Sequence, residues 1–194
     1  MNIQTLFASV LLGGMSSAMP ICAQSGMAQQ TIVKSQQTTT TFQNPMAWSD
    51  IPDPDVIRVG DNFYMHLMPG APIMKSKDLV NWEIVNYIFP KLTDSPKYEM
   101  KNGTVYGRGQ WATSLKYHRG KFYALFAPND HPGGETYICT ADDIEGEWTV
   151  HSRLPHFHDA SLFFDDDDKA YVVYATGEMV QLNSDLTAVV EGSH

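Results

Sequence analysis

Cysteine is almost absent from this 194-residue chain: there are two, Cys22 and Cys139. A scaffold stapled by disulfides is excluded on that count. Cys22 lies in an apolar leader, so its removal would leave Cys139 without a partner. Cys139 stands in an apolar-aromatic run and reads as a small buried hydrophobe rather than a nucleophile. Basic residues are also few. Lys plus Arg number 13 against 22 Asp plus Glu, a formal charge of −9. That balance argues against nucleic acid and against an anionic membrane surface as partners, and suits a neutral substrate. An apolar run long enough for a confident membrane span is missing too. The length suffices for one sizeable domain or a piece of a larger one.

The start of the chain differs from the rest. MNIQTLFASVLLGGMSSAMPICAQ combines an apolar stretch with small residues and carries neither acid nor base. Residues 1–23 are expected to be a secretory signal peptide cleaved near Ala23, which makes the mature protein secreted or periplasmic. The n-region lacks the usual Lys or Arg. A lipid anchor at Cys22 is the alternative, although Met19, Pro20 and Ile21 match that signal poorly. Residues 24–43 are rich in Gln, Thr and Ser and read as a flexible linker. The body spans 44–194.

The body reads as strands and turns throughout, and it repeats. DVIRVGDNFYM (55–65), TSLKYHRGKFYAL (113–125) and ASLFFDDDDKAYVVY (160–174) share one plan: a short apolar strand, a polar turn, an aromatic strand. This is a β-hairpin pattern. A second half-unit follows each: IMKSKDLVNW (73–82), YICTADDIEGEW (137–148) and MVQLNSDLTAV (179–189). Each carries Asp then Leu or Ile in its turn, and Trp82 and Trp148 close the first two. Two hairpins make a four-stranded sheet, and a unit returning about every 50 to 60 residues marks a β-propeller blade. A β-sandwich with chance likeness between hairpins is the alternative. The fold expected is all-β, with about three blades in this chain. A propeller ring needs at least four, so the repeats alone call for completion by further blades or by another chain.

The run PDPDVIRVGDNFYM places Asp53 between two prolines, just outside a strand. Proline restricts itself and the residue before it, so Asp53 is expected on a stiff, extended backbone. A carboxylate held that firmly suits a general base. A solvated turn aspartate is the plain alternative. Aligning the three first strands on Val56, Leu115 and Leu162 puts Asp53, Ala112 and Asp159 three positions upstream of each. Innermost strands of blades line a common channel, so Asp53 and Asp159 should face one pocket although they are far apart in sequence. Trp111 should sit at its rim, as a sugar-stacking ring or as a core tryptophan. Arg108, in GRGQW, is a candidate to bind a hydroxyl or orient a carboxylate, against a plain surface role. His131 and His158 fall near pocket-side loops, where solvated histidines are the plainer reading. Asp165 to Asp168 form a hairpin turn without the spacing of an EF-hand. Paired carboxylates beside an aromatic point to glycoside hydrolysis, which needs one carboxylate as base or nucleophile and one carboxylic acid for the leaving oxygen.

PDPDVIRVGDNFYM, MKSKDLVNW, GQWATSLKYHRGKFYALF and HDASLFFDDDDKAYVVY resemble glycoside hydrolase family 43, the β-xylosidase and α-L-arabinofuranosidase family. The resemblance covers about residues 44–190 and implies a five-bladed β-propeller, of which this chain would hold about three blades, and an inverting mechanism. It implies Asp53 as the general base, Asp159 as the acid that tunes and orients the general acid, and Trp111 as a sugar contact. The family's general acid is a glutamate opening a later blade. Glu191, in VVEGSH, looks like it only superficially, because it directly follows the third blade's closing strand, so the acid is expected further along. No cofactor is expected, with calcium at the channel centre open for the complete fold. The expected function is hydrolysis of xylose- or arabinose-containing plant polysaccharide. The alternatives are a non-catalytic sugar-binding propeller and an inactive truncated product. If the leader is cleaved, intact-mass measurement on protein from its native source should find a chain starting near residue 24. A retained Met1 would refute the cleavage.

Overall fold

Among the described residues, eleven strands, all antiparallel to their neighbours, build three sheets in chain order. The computed structural model describes residues 41–46, 51–67, 71–88, 110–128 and 134–194. All of them belong to one unit, Thr41–His194. The first sheet runs β1 (Asp55–Val59), β2 (Asn62–His66), β3 (Pro72–Ser76) and β4 (Glu83–Tyr87). The second runs β5 (Gln110–His118), β6 (Lys121–Pro128), β7 (Glu135–Ala141) and β8 (Thr149–Pro155). The third runs β9 (Ser161–Phe164), β10 (Ala170–Tyr174) and β11 (Glu178–Gln181), with a bridge from Leu182 to Val189 beginning a fourth position.

Local chemistry explains the turns. Arg119 and Gly120 both take positive φ, 47° and 82°, and join β5 to β6 in two residues. Two positive φ angles give the hairpin a twist that matches its strands. The acidic run forms the β9–β10 turn, where the Asp165 carboxylate accepts the N–H groups of Asp167 and Lys169 at 3.0 and 2.8 Å. In the outer hairpins, Asp78 accepts the N–H groups of Val80 and Asn81, and Asn183 those of Thr187 and Ala188. The closing tryptophans repeat one contact. The indole N–H of Trp82 donates to the Leu79 carbonyl, and that of Trp148 to the Ile144 carbonyl, both at 3.1 Å. The first two of these half-units are thus alike in hydrogen bonding as well as in pattern.

The first strands of successive sheets lie against one another, β1 on β5 and β5 on β9. Two cores fill the spaces between sheets. Tyr64, Ile73, Leu115, Ala124, Phe126 and Cys139 join the first sheet to the second. Leu125, Ile138, Leu162, Val172 and Val180 join the second to the third. Alternate residues of β6 therefore enter opposite cores, as period-two side chains must. This is why KFYALFA is nearly continuous in apolar residues. Cys139 is fully buried, as its surroundings in sequence suggest. At the hairpin end, His118 and Arg119 pair with Asp168, and the His118 ring stacks on Phe164 at 4.2 Å.

Repeat-equivalent residues do not share one fate. Leu115 and Leu162 are fully buried, each against the preceding sheet, whereas Val56, first in the series, is 43% exposed. The opposite face of the third sheet likewise exposes Phe163 and Met179. A Leu162→Ala variant should lose about 2–5 kcal/mol to lost burial and cavity. Val56→Ala should change stability by about 0.5 kcal/mol or less. Urea unfolding of both variants checks this, and equal losses would contradict the burial difference.

Candidate active site

The two aspartates singled out by the repeat stand at equivalent points of the backbone. Asp53 lies two residues before β1 and Asp159 two residues before β9. Both take left-handed φ angles, 49° and 48°. The extended backbone expected for Asp53 is therefore corrected. Asp159 is followed by alanine and adopts the same angle, so the entry into the first strand sets it and the prolines do not. Aspartate tolerates this region better than most residues, and such outliers concentrate at functional sites. The third aligned position, Ala112, differs. Strand β5 begins earlier, at Gln110, and its register slips between Trp111 and Thr113. The extra residue is a bulge inside the strand rather than a turn before it.

One cavity of about 380 Å³ is lined by Asp53, Pro54, Asp55, Thr113, Lys116, Asp159, Ala160 and Ser161. The structure thus brings Asp53 and Asp159 to the same space. A narrow cleft beside it is lined by Trp111, His156, His158 and, again, Asp159. Trp111 is 37% exposed there, so it is a rim residue and not a core tryptophan. His158 Nε2 lies 3.3 Å from the Asp159 carboxylate.

Two residues of the cavity escaped the reading of the sequence. Asp55 accepts the backbone N–H of Leu115 at 2.7 Å, and the Lys116 amine stands 3.6 Å from its carboxylate. Asp55 holds a repeat position, immediately preceding the aligned apolar residue as Ser114 and Ser161 do in the other sheets, while nothing in the sequence marks Lys116. His66 is the register partner of Asp55 on β2 and is fully buried. Burial pushes its imidazole down to about 3, so it is neutral beside the site.

Arg108 and His131 lie outside the described residues. Glu191 is exposed in a turn after β11. The chain there runs along the outer side of β11, since the Val190 N–H donates to the Gln181 carbonyl. Glu191 is thus three strand spacings out from β9, about 14 Å at ~4.8 Å each, and does not line the cavity. Among the described residues no three His, Cys, Asp or Glu side chains come together as a metal-binding group.

The model of the glycosyl hydrolases family 43 matches residues 42–192. The chain belongs to glycosyl hydrolase family 43. It is 36% identical over 146 residues to a β-xylosidase of Formosa agariphila, covering 70% of this chain and 24% of that one. It is 35% identical to a xylan 1,3-β-xylosidase of a Vibrio species, over 70% of this chain and 27% of the relative. The chain spans about a quarter of the length of the curated relatives it matches. Among solved structures, a bifunctional GH43-CE protein of Bacteroides eggerthii is 39% identical with a TM-score of 0.69, over 77% of this chain and 20% of that one. A xylan β-1,4-xylosidase from Bacillus halodurans is 30% identical with a TM-score of 0.63, over 77% of this chain and 32% of its own. The family's fold is the five-bladed β-propeller, and the three sheets are about three of its blades.

The buried His66 carries a consequence for acid stability. Its folded-state pKa lies below its unfolded value, so its full contribution is present above about pH 6.5. Stability should fall as pH drops from there toward 3, by at most about 1.4 kcal/mol per pH unit from this group. Unfolding free energies measured from pH 7 to 4 should fall less steeply in His66→Gln. Identical slopes would contradict the assignment.

Proposed function

We propose that the protein is an inverting glycoside hydrolase acting on xylose- or arabinose-containing plant polysaccharide. The observation that carries this reading is the meeting of Asp53 and Asp159, equivalent in repeat position and in φ, at one cavity of a family 43 chain. In this reading Asp53 takes a proton from the water that attacks the anomeric carbon. Asp159, shared between the cavity and the cleft, orients the acid that protonates the leaving oxygen. Trp111 offers an exposed ring on which the sugar beyond the scissile bond can stack. A third carboxyl group must supply the leaving-group proton, and Glu191 is not placed to give it. The similar xylosidases and a non-reducing end α-L-arabinofuranosidase of Bacteroides ovatus, 33% identical over 115 residues and covering 56% of this chain and 21% of that one, support the pentoside class.

The apolar leader supports export, so the substrate would be met outside the cytoplasm. No helix among the described residues is long and apolar enough to cross a membrane. The net charge of −9 favours a neutral saccharide over an anionic one. A second reading is sugar binding without hydrolysis, favoured because the third carboxylate lining the cavity, Asp55, is engaged by the Leu115 N–H and stands 3.6 Å from the Lys116 amine. Saccharide binding with no release of reducing ends would select it.

Asp53→Asn tests the catalytic reading. Asparagine tolerates the left-handed backbone, so the fold is expected to keep its thermal midpoint. Release of pentose from aryl pentosides should fall by about 10²-fold or more, the usual worth of general base catalysis. Unchanged turnover would remove Asp53 from the mechanism.

A further inference from the structure

The two carboxylates sit on different blades, and a short path runs between them through the middle blade. Asp55, two residues after Asp53, accepts the N–H of Leu115 at 2.7 Å. The next residue back along β5, Ser114, accepts with its hydroxyl the N–H of Leu162 at 3.2 Å. Leu162 is three residues after Asp159. The path from acid to acid is therefore Asp53, Asp55, Leu115, Ser114, Leu162, Asp159: two hydrogen bonds and a single peptide link between short stretches of chain. We propose that the Ser114–Leu115 pair is a gauge that fixes Asp53 against Asp159, with Asp55 and Ser114 as its positioning residues. This rests on the reading of the cavity as a glycoside site.

Three observations support the gauge. Ser114 is 2% exposed and Leu115 and Leu162 are fully buried, so the Ser114–Leu162 bond is shielded from water and a buried hydroxyl placed there needs a partner, while the Asp55 carboxylate is half-buried at the cavity. The bonds join first strands of different sheets, where no backbone ladder operates. Asp55 and Ser114 hold the same repeat position, one residue before the aligned apolar residue. The same device appears twice with different acceptors, a carboxylate and a hydroxyl. The carboxylate version brings a charge to the cavity, and Lys116 stands 3.6 Å from it. Ser161, third in the series, lines the cavity.

The test uses the whole isotope-labelled chain, reading amide exchange at Leu115 and Leu162 and the carboxyl ¹³C signals of Asp53 and Asp159 by NMR. Ser114→Ala should speed exchange at Leu162 about tenfold, leave Leu115 as it was, and move the Asp159 carboxyl signal. Ser114→Thr, which keeps the hydroxyl, should restore both. Asp55→Ala should do the same to Leu115 and Asp53, and Asp55→Ser should restore them, because serine already performs this task in the next blade. If Ser114→Ala loses its folded spectrum, the Asp55 pair decides. Unchanged exchange at both amides, or faster exchange with both carboxyl signals still, overturns the gauge. Titration with xylobiose separates the two ideas. Carboxyl signals that respond to the variants but not to xylobiose uphold the gauge and count against the glycoside reading. Signals that respond to xylobiose but not to the variants do the reverse.

Discussion

Burial of the middle blade on both faces is the constraint on which the rest of the structure depends. Leu115, Ala124 and Phe126 pack toward the first sheet, and Leu125 and Ile138 toward the third. All five are fully buried. A single β-sheet cannot hold its neighbours at a set angle through one face. Strand β5 and the sheet behind it act instead as a wedge with two apolar sides. The outer blades are positioned against it, and so are the residues at their strand entries. The hydrogen bonds from Leu115 and Leu162 then fix the inner edges of the wedge where apolar packing alone is non-directional.

The site inherits its geometry from this arrangement. Left-handed angles at Asp53 and Asp159 cost free energy that packing of the blades must offset. In return two copies of one strand-entry geometry converge on one cavity. The electrostatics are not symmetric. Asp55 and Lys116 line the cavity that both carboxylates share, whereas Asp159 alone of the two also borders the Trp111 cleft, with His158 Nε2 3.3 Å from its carboxylate.

Much of this was legible from the sequence, for a physical reason. A blade must repeat its hydrophobic alternation and turn chemistry to stack on its neighbours, so the hairpins, the Trp82 and Trp148 closures and the equivalence of Asp53 with Asp159 leave a pattern. Backbone dihedrals leave none. The prolines around Asp53 suggested an extended residue, but the strand entry imposes a left-handed one. The bulge at Trp111–Thr113 was hidden because an inserted residue looks like any other apolar strand residue. Asp55 and Lys116 were missed because strand residues alternate between faces, and only the three-dimensional register shows that these two turn toward the cavity. Glu191 resembled a motif locally, yet three strand spacings separate it from the first strand of its own sheet.

The most direct measurement is a crystal structure of the chain with a bound xylose disaccharide. The predicted result is a sugar ring seated between the Asp53 and Asp159 carboxylates, with its neighbour over Trp111. A disaccharide held elsewhere, for instance in the outer pocket beside Asp78 and Trp82, with the two aspartates facing solvent separately, would contradict it.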